Sequence, residues 1–459
     1  SESIQIENPS KTSFLTQFKD LAGSIFSGDS EQRLRQTDAG RINILLLGRA
    51  GEHYPGRNLT DTIMVMSIDR NTKKVALLSL PRDLYVPIAE TGFSTKINSL
   101  YQYGIQNGDD IKPLIQTVET ITGEPIHYHI ILDFDGFEKA VDTLGGISIN
   151  VKRNFHDTRY PGKNYSYETF DISKGWQTLD GATALKYVRE RHDDPEGDFG
   201  RAGRQQQVIQ AIKDRAFSIG TLVNVFAISG LMDTLGESVK TDMPLEDMRS
   251  FLELTKTLDT ENISSVVIDA WKKDSLLRVS HVQVGPVAAF ILVPRVGNWS
   301  EIRDVSENIF SLNTLKDRQD RIAKEQTSVT IVTTKADIAL SKKFQSLLEE
   351  TLGTTKISVV SVLENRPEES MIVDRSNLGK PYSLDELMKK FPLKKETSLP
   401  SSFPTSDNSD FIITLGNDLA ETLTFDDESD ASEKEMSDDT FSEPLAPQKD
   451  IKKTDTHSL

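Results

Sequence analysis

Short apolar runs alternate with amphipathic segments from Asn43 onward, and this alternation limits the chain to folds that combine strands with helices. The strand-like runs are Ile44–Leu47, Ile63–Ile68, Val75–Leu80, Ile126–Leu132 and Ile147–Val151. Apolar residues recur at helical spacing in Ile111–Ile121, Phe137–Leu144 and residues 201–217. The pattern predicts an α/β fold, with helices on both faces of one sheet and ligands near the strand ends.

The pattern continues to about residue 310 and resumes after a polar interval. Two further helices are predicted near residues 221–235 and 245–258, and a strand at Ile263–Ile268. A second, smaller α/β unit is predicted from Val329–Val332, Ala339–Leu352, Ile357–Val362 and Phe411–Leu415. The domains expected are a juxtamembrane leader (1–40), a main domain (41–310), a linker (311–327), a small domain (328–425) and a tail (426–459). The tail has 11 acidic and 4 basic residues and is expected to be disordered.

Composition excludes several classes of protein. The chain has no cysteine, so disulfides, thiolate metal sites and cysteine nucleophiles are ruled out, which fits an oxidising envelope compartment. A formal charge of −17 argues against a nucleic-acid partner. No apolar run reaches the ~18 residues that a spanning helix needs. The chain starts at Ser1 without Met, and we expect a signal or membrane anchor to precede it.

Basic residues nevertheless cluster in one stretch of this acidic chain, at Arg189, Arg191, Arg201 and Arg204. Surface ion pairing with Asp193, Asp194, Glu196 and Asp198 is the simpler interpretation. If Tyr187–Arg191 is extended, however, Arg189 and Arg191 project to one side. If residues 201–217 are helical, Arg201, Arg204, Gln205 and Val208 share one face. Guanidinium groups that converge in this way match a diphosphate.

Two other loops place polar side chains at predicted strand ends. Arg82 follows the strand at Val75–Leu80, and Lys96 lies in the next loop. Asp61 enters the strand at Ile63–Ile68, where it is either a turn residue or a ligand of a hard cation such as Mg²⁺ or Mn²⁺. If these residues catalyse a reaction that deprotonates an acceptor group, the general base could be Asp61, Asp83, Asp198 or a water bound to the acceptor, and the sequence does not choose among them.

Several motifs, taken in this order, resemble the LytR-CpsA-Psr family of cell-envelope phosphotransferases over roughly residues 41–310. They are GRINILLLG, NLTDT, SLPRD, KIN, VDTLGGI, LDG with ALKYVRER, and DFGRAGRQ. Residues 328–425 are similar to the LytR C-terminal domain, most clearly at DFIITLGND (Asp410–Asp418).

The resemblance implies a fold, an activity and a set of site residues. It implies a central mixed sheet with helices on both faces and an apolar lipid channel. Its members transfer a phosphoglycan from a polyprenyl-pyrophosphate-linked glycan to peptidoglycan or another envelope acceptor, on the extracytoplasmic face of the cytoplasmic membrane, with Mg²⁺ assisting. Arg82, Arg189, Arg191, Arg201 and Gln205 would bind the pyrophosphate, assisted by Lys96. Arg204 and Asp198 are also candidates for substrate binding, and Asp61 is the candidate metal ligand.

One departure from the family pattern concerns the metal. Ala50 stands where the family usually has an aspartate, so the site would lose one carboxylate. Glu52 is a candidate to replace it, and the alternative is that Asp61 and phosphate oxygens suffice. Two alternatives to transfer therefore stay open. The pocket could hydrolyse the pyrophosphate with water as acceptor, or the protein could bind lipid-linked glycan without turnover.

Overall fold

The computed structural model describes the chain over residues 34–52, 54, 56–162, 166–190, 194, 197–218, 236–270, 275–284, 287–398 and 407–424. The predicted leader lies almost wholly outside these residues, and the tail and the helix predicted near 221–235 lie entirely outside them. No helix in the described ranges has both the length and the apolar character needed to cross a bilayer.

The first part of the chain forms a six-stranded mixed sheet with strand order β11-β6-β1-β2-β3-β12. Its strands are β1 (Arg41–Arg49), β2 (Thr60–Asp69), β3 (Lys74–Leu80), β6 (Tyr128–Asp133), β11 (Val239–Thr241) and β12 (Asp259–Val267). β1 pairs parallel with β6, and β3 pairs parallel with β12, whereas β2 is antiparallel to β1 and β3. The fold class predicted from the sequence is confirmed.

Helices cover both faces of this sheet because its central strands are apolar on both sides. Leu45 and Leu47 belong to a core with α1 (Leu100–Asn107), α2 (Lys112–Thr122) and α7 (Ser300–Glu307). Ile42 and Ile44, which alternate with them, belong to a second core with α6 (Leu245–Thr255).

A third core lies beside the sheet and carries much of the arginine-rich segment. It consists of α3 (Phe134–Thr143), α4 (Gly181–Arg189), α5 (Gly197–Ser218), β7 (Ile147–Val151), β8 (Phe155–Pro161), β9 (Tyr167–Ile172) and β10 (Gly175–Leu179). Val208 is buried in it, so α5 uses that face for packing. Two hairpins complete the first part, β4 (Tyr85–Pro87) with β5 (Ser94–Lys96), and β13 (Leu277–Val284) with β14 (Val287–Pro294).

The second, smaller unit is a five-stranded sheet with strand order β16-β15-β19-β17-β18 and its own core. Its elements are β15 (Val329–Thr334), α9 (Ile338–Leu352), β16 (Ile357–Leu363), β17 (Ser370–Asp374), α10 (Pro381–Lys390), β18 (Leu393–Glu396), β19 (Phe411–Thr414) and α11 (Asn417–Thr424).

Residues 311–327, which we expected to be a linker, contain helix α8 (Asn313–Glu325). Ile322 of α8 is buried in the core of the second unit, and Arg318 pairs with Asp385 at 2.7 Å and Glu386 at 2.8 Å. Apart from Ile322, α8 has no fully buried side chain, so its sequence lacks the apolar stripe that predicts a packed helix. The prediction of a linker was wrong for that reason.

Candidate functional site

One edge of the six-stranded sheet gathers the residues that the sequence singled out. β1, β3, β6 and β12 all end at this edge, while the antiparallel β2 begins there, as the pairs Ile63 with Leu80 and Gly48 with Leu132 establish. Loops at strand ends are free to carry polar side chains, because the ladder beneath fixes their positions. The predicted location of the site at strand ends corresponds to this edge.

Three of the predicted residues meet at the start of β2. Arg82 Nη1 lies 3.0 Å from Asp61 Oδ1, and both side chains are partly exposed. Arg201, on α5, donates from Nη2 to the Asp61 carbonyl oxygen at 3.1 Å and is 7% exposed. Residues 61, 82 and 201 are distant along the chain, and the fold brings them to one point.

Lys96 joins this group through Asp83. Its ammonium lies 2.7 Å from Asp83 Oδ1, and Arg82 Nε lies 3.5 Å from Asp83 Oδ2. The backbone supports the arrangement, since Asn98 donates to the Arg82 carbonyl at 3.3 Å and Leu292 donates to the Asp83 carbonyl at 2.9 Å. Asp83 therefore holds two cations side by side.

Arg189 is the last residue of α4. The condition considered from the sequence, an extended Tyr187–Arg191, is therefore not met as far as Arg189. Asp180 directly precedes the helix, and its carboxylate caps it by accepting from the Thr183 amide at 2.8 Å. The helix directs Arg189 into three aromatic rings, at 4.4 Å from Phe134, 5.3 Å from Tyr54 and 5.4 Å from Tyr160. Its guanidinium makes no hydrogen bond or ion pair to any residue that the structure describes.

Arg204, unlike Arg189, is buried and hydrogen-bonded within the chain. It is 7% exposed, and each of its three nitrogens donates within the chain: Nε to the Tyr187 carbonyl at 2.9 Å, Nη1 to the Asp194 carboxylate, and Nη2 to the Glu190 carbonyl. Asp194 fits closely against α5 because residue 200 is glycine, where a Cβ would lie 2.1 Å from Asp194 Oδ2. The structure thus places Arg204 as a tie between α4 and α5, turned away from any open face.

The remaining predicted residues are less constrained. Arg191 and the side chain of Asp198 lie outside the described residues. Gln205 is partly exposed on α5 and has no hydrogen bond to another described side chain. Its neighbour Gln206 is the one that anchors the helix, donating to Ser79 Oγ at 2.8 Å and to the Val266 carbonyl at 3.1 Å. Three glutamines in succession gave no sequence signal that distinguished these positions.

Sequence reasoning also missed residues at the same edge. Arg49, at the end of β1, is 8% exposed and lies 3.1 Å from Asn58 Oδ1 and 3.5 Å from Asp133 Oδ2. The aromatic residues around Arg189 were not predicted either, although Phe134 directly follows β6 and could have been noted as a strand-end residue.

The described carboxylates at this edge do not by themselves fit Mg²⁺. Asp61 is paired with Arg82, Asp83 with Lys96, and Asp133 with Arg49. Ala50 is buried, and Glu52 is exposed on the loop after it. The described residues contain no group of three or more His, Cys, Asp or Glu side chains suited to a metal ion. A hard cation there would depend on oxygen ligands that a substrate brings.

The same stretch of chain matches a known family. The model of the LytR_cpsA_psr family matches residues 12–284, which is more than half of the chain. The chain belongs to the LytR_cpsA_psr family. The resemblance inferred from the ordered motifs is thereby confirmed.

Relatives of this LytR_cpsA_psr chain include named transferases. It is 37% identical over 222 residues to a polyisoprenyl-teichoic acid–peptidoglycan teichoic acid transferase TagU of Oceanobacillus iheyensis, covering 48% of this chain and 64% of that relative. It is 31% identical over 220 residues to the TagU of Bacillus subtilis, covering 48% and 65%. It is 38% identical over 195 residues to regulatory protein MsrR of Staphylococcus aureus, covering 42% and 54%. The chain thus spans less than two thirds of the length of these relatives.

Solved structures that are similar to this chain include those of TagV and TagT. B. subtilis TagV is 26% identical with a TM-score of 0.46, covering 60% of this chain and 98% of that one. TagT bound to LI-WTA is 25% identical with a TM-score of 0.44, covering 62% and 95%.

Proposed function

We propose that this LytR_cpsA_psr chain transfers a phosphoglycan from a polyprenyl-pyrophosphate-linked glycan to a hydroxyl of peptidoglycan or another envelope glycan. Family membership supports the proposal, as do the names of the TagU relatives, which describe teichoic acid transfer to peptidoglycan. The reaction would take place at the extracytoplasmic face of the cytoplasmic membrane, to which we propose the protein is anchored.

The main structural support for the proposal is that the Arg189 guanidinium has no hydrogen-bond acceptor among the described residues. A guanidinium has five N–H donors in a planar fork that matches phosphate oxygens. Within the part of the chain that the structure describes, the Arg189 guanidinium has ring contacts and no hydrogen bond or ion pair, which leaves its donors available to an anion. Arg82, Arg201 and Lys96 lie at the same sheet edge and add positive charge in a chain of net −17.

The chemistry needs positioned charge more than covalent participation. The acceptor hydroxyl oxygen attacks the glycan-bearing phosphorus, the bond from that phosphorus to the bridging oxygen breaks, and prenyl monophosphate leaves as the hydroxyl loses its proton. The equatorial oxygens and the departing phosphate carry the negative charge of the transition state. Fixed guanidinium groups stabilise that charge without reorganising during the step. We leave the general base unassigned, because Asp61 and Asp83 are both ion-paired and the Asp198 side chain lies outside the described residues.

We further propose that Mg²⁺ or Mn²⁺ binds together with the substrate. Asp61 remains its proposed ligand, with the rest of the coordination supplied by phosphate oxygens of the substrate. Mn²⁺ binding measured by electron paramagnetic resonance, with and without pyrophosphate, tests this directly. Signal loss that requires both Asp61 and pyrophosphate would support the assignment, and binding unaffected by Asp61→Asn would contradict it.

The transfer activity is tested by incubating the protein with a prenyl-pyrophosphate-linked saccharide and a peptidoglycan fragment, and analysing the products by mass spectrometry. We expect prenyl monophosphate together with a phosphoglycan attached to the acceptor. Arg303→Ala is a matched control, because Arg303 binds the Thr120 carbonyl near the opposite edge of the sheet.

The same assay separates the alternatives. Prenyl monophosphate at an equal rate with and without the acceptor fragment would indicate a pyrophosphate hydrolase. Bound lipid-linked saccharide without any product, in a folded sample, would indicate a binding protein and would contradict the proposed transfer.

A further inference from the structure

Tyr160, on β8, is a buried side chain that the proposed mechanism does not yet use. Its side chain is 1% exposed, and its residue pairs with Glu168 across the β8–β9 hairpin. One side of its ring packs against Phe170 at 5.6 Å between centroids, and Arg189 lies over the ring at 5.4 Å. Tyr160 therefore lies between the third core and the site.

The hydroxyl of Tyr160 is buried and has no hydrogen-bond partner among the residues that the structure describes. Most buried polar groups in folded proteins are hydrogen-bonded, and an unsatisfied one destabilises the fold. A phenylalanine would fill the same ring position without that cost. The presence of a hydroxyl here calls for a partner that the described chain does not supply.

Arg189 shares this environment and has the same lack of acceptors. Its guanidinium is enclosed by Tyr160, Phe134 and Tyr54, and Tyr54 meets Phe134 edge-on at 5.0 Å. Two neighbouring donor groups without acceptors, one cationic and one neutral, form a site suited to an anion. Arg189 is itself partly exposed, so an anion can approach from its open side.

The protonation state of Tyr160 is consistent with a donor. Burial raises the pKa of its hydroxyl well above the ordinary value, and the charge of Arg189 only partly opposes that shift. The hydroxyl therefore keeps its proton at any pH of the cell envelope and can donate it in a hydrogen bond to a phosphate oxygen.

We propose that Tyr160 is a further substrate-binding residue, whose hydroxyl donates to the same phosphate group that Arg189 binds. The inference rests on the proposed function, because it takes that anion to be the diphosphate of the substrate. Tyr54, which also borders Arg189, lies in the loop between β1 and β2, outside either strand.

Tyr160→Phe tests the proposal, because it removes the hydroxyl and keeps the ring that holds Arg189. Calorimetric titration with inorganic pyrophosphate should give a Kd about tenfold or more above that of the wild type, as expected for a lost hydrogen bond to a charged group. The thermal unfolding midpoint should stay the same or rise, because the variant loses an unsatisfied polar group.

Tyr128→Phe is the matched control. Tyr128 is equally buried, at the opposite end of β6, but its hydroxyl accepts from the Arg35 amide at 2.7 Å and donates to Asp247 at 2.8 Å. That variant should unfold at a lower temperature and bind pyrophosphate as the wild type does.

A Tyr160→Phe variant that binds pyrophosphate as tightly as the wild type would overturn the role of Tyr160 and leave the proposed function intact. A lowered unfolding midpoint in that variant would also overturn it, since the hydroxyl would then have a partner within the fold. Wild-type protein that fails to bind pyrophosphate would overturn both proposals.

Discussion

Arg189 and Arg204 are the same residue type, fifteen positions apart, and their surroundings assign them different tasks. Among the described residues, the guanidinium of Arg189 lies against three aromatic rings and makes no hydrogen bond, and such rings orient a cation without occupying its N–H donors. Arg204 gives its donors to two carbonyls and a carboxylate. The first arrangement leaves a guanidinium able to bind substrate, and the second uses one to hold helices together.

Alanine at position 189 should therefore impair activity and spare the fold. We expect the rate of phosphoglycan transfer to fall on the order of 10²–10³-fold, the effect of removing one charge-stabilising donor. The thermal unfolding midpoint should change little, because no hydrogen bond of the described chain is lost. Product formation by mass spectrometry and a thermal melt measure the two effects.

Alanine at position 204 should, in contrast, destabilise the fold. It removes the donor of two buried backbone carbonyls and leaves Asp194 with Arg153, at 2.9 Å, as its remaining cation, at a cost of about 2–3 kcal/mol in the free energy of unfolding. Urea unfolding followed by circular dichroism measures this. Near-wild-type stability together with lost pyrophosphate binding would return Arg204 to the set of substrate-binding residues.

At the scale of elements, the contact between α3 and α4 controls where Arg189 lies. Gly181, the first residue of α4, passes so close to α3 that a Cβ would lie 2.2 Å from the Glu138 carbonyl. Its amide also donates to Asp142 Oδ1 at 2.7 Å. The glycine of the LDG motif is therefore required by packing, and it sets the distance from Arg189, on α4, to Phe134, on α3.

Gly181→Ala should separate the two helices and loosen the aromatic contacts of Arg189. Overpacking of this kind typically costs about 1–3 kcal/mol of stability. We expect, in addition, weaker binding of inorganic pyrophosphate by calorimetry. Gly203→Ala is the control, because a Cβ at Gly203 on α5 would meet no atom within 4 Å. Equal pyrophosphate affinity in both variants would show that the α3–α4 distance does not control the site.

The DFIITLGND motif of the second unit has a structural explanation at the same scale. Asp410 accepts from the amide and hydroxyl of Ser328, both at 2.8 Å, and Asp418 accepts from the Ser370 amide at 2.9 Å. At Gly416, a Cβ would lie 2.4 Å from the backbone of Ser370. These contacts join β19 and α11 to β15 and β17, so the motif stabilises the sheet.

At the scale of the whole molecule, buried ion pairs join the two units. Glu301 of α7 is 5% exposed and binds Arg295 through both oxygens at 2.7 Å and Lys390 of α10 at 2.8 Å. Asn298 donates to the Lys390 carbonyl at 2.6 Å, and Arg278 of β13 donates to the Thr422 carbonyl at 2.7 Å. The second unit is thus fixed to the part of the chain that includes the β13–β14 hairpin, which also contacts Asp83.

Glu301→Gln should destabilise this joint strongly, because Arg295 and Lys390 would remain close together without their shared countercharge. Breaking a buried pair costs about 3–5 kcal/mol. Calorimetric unfolding measures the loss. Glu253→Gln, which removes an exposed partner of Lys256, is the control and should change stability by about 0.5 kcal/mol or less.

The stability that Glu301 contributes through Arg295 and Lys390 should decrease at low pH. Burial alone would raise the pKa of Glu301, but the hydrogen bond from Arg295 and the charges of Lys390 and Arg295 outweigh it, so its pKa lies below the usual 4.5. The stabilisation is therefore complete above about pH 4.5 and decreases as the pH falls through the lowered pKa. The stability difference between wild type and Glu301→Gln should shrink in that range, and a constant difference would exclude this pairing as its source.

Elements with strong apolar periodicity were predictable from the sequence, because the spacing of their apolar residues alone distinguishes a strand from a helix. β1, β2, β3, α2 and β7 were found in this way, and the motif order led to the family. Helix α8 was missed because Ile322 is its one buried residue. Helix α4 was not predicted, and an extended Tyr187–Arg191 was considered instead, because a nine-residue helix between polar loops leaves little periodic signal.

The sequence by itself determined the α/β class, the two folded units, the family and a set of candidate arginines. Only the tertiary structure separated Arg204, whose donors are used within the fold, from Arg189, which we propose binds the substrate. A guanidinium binds whatever acceptors lie near it, and those acceptors come from residues far apart along the chain. Asp194 and two carbonyls surround Arg204, whereas Tyr54, Phe134 and Tyr160, from three separate segments, surround Arg189 and leave its donors to an anion.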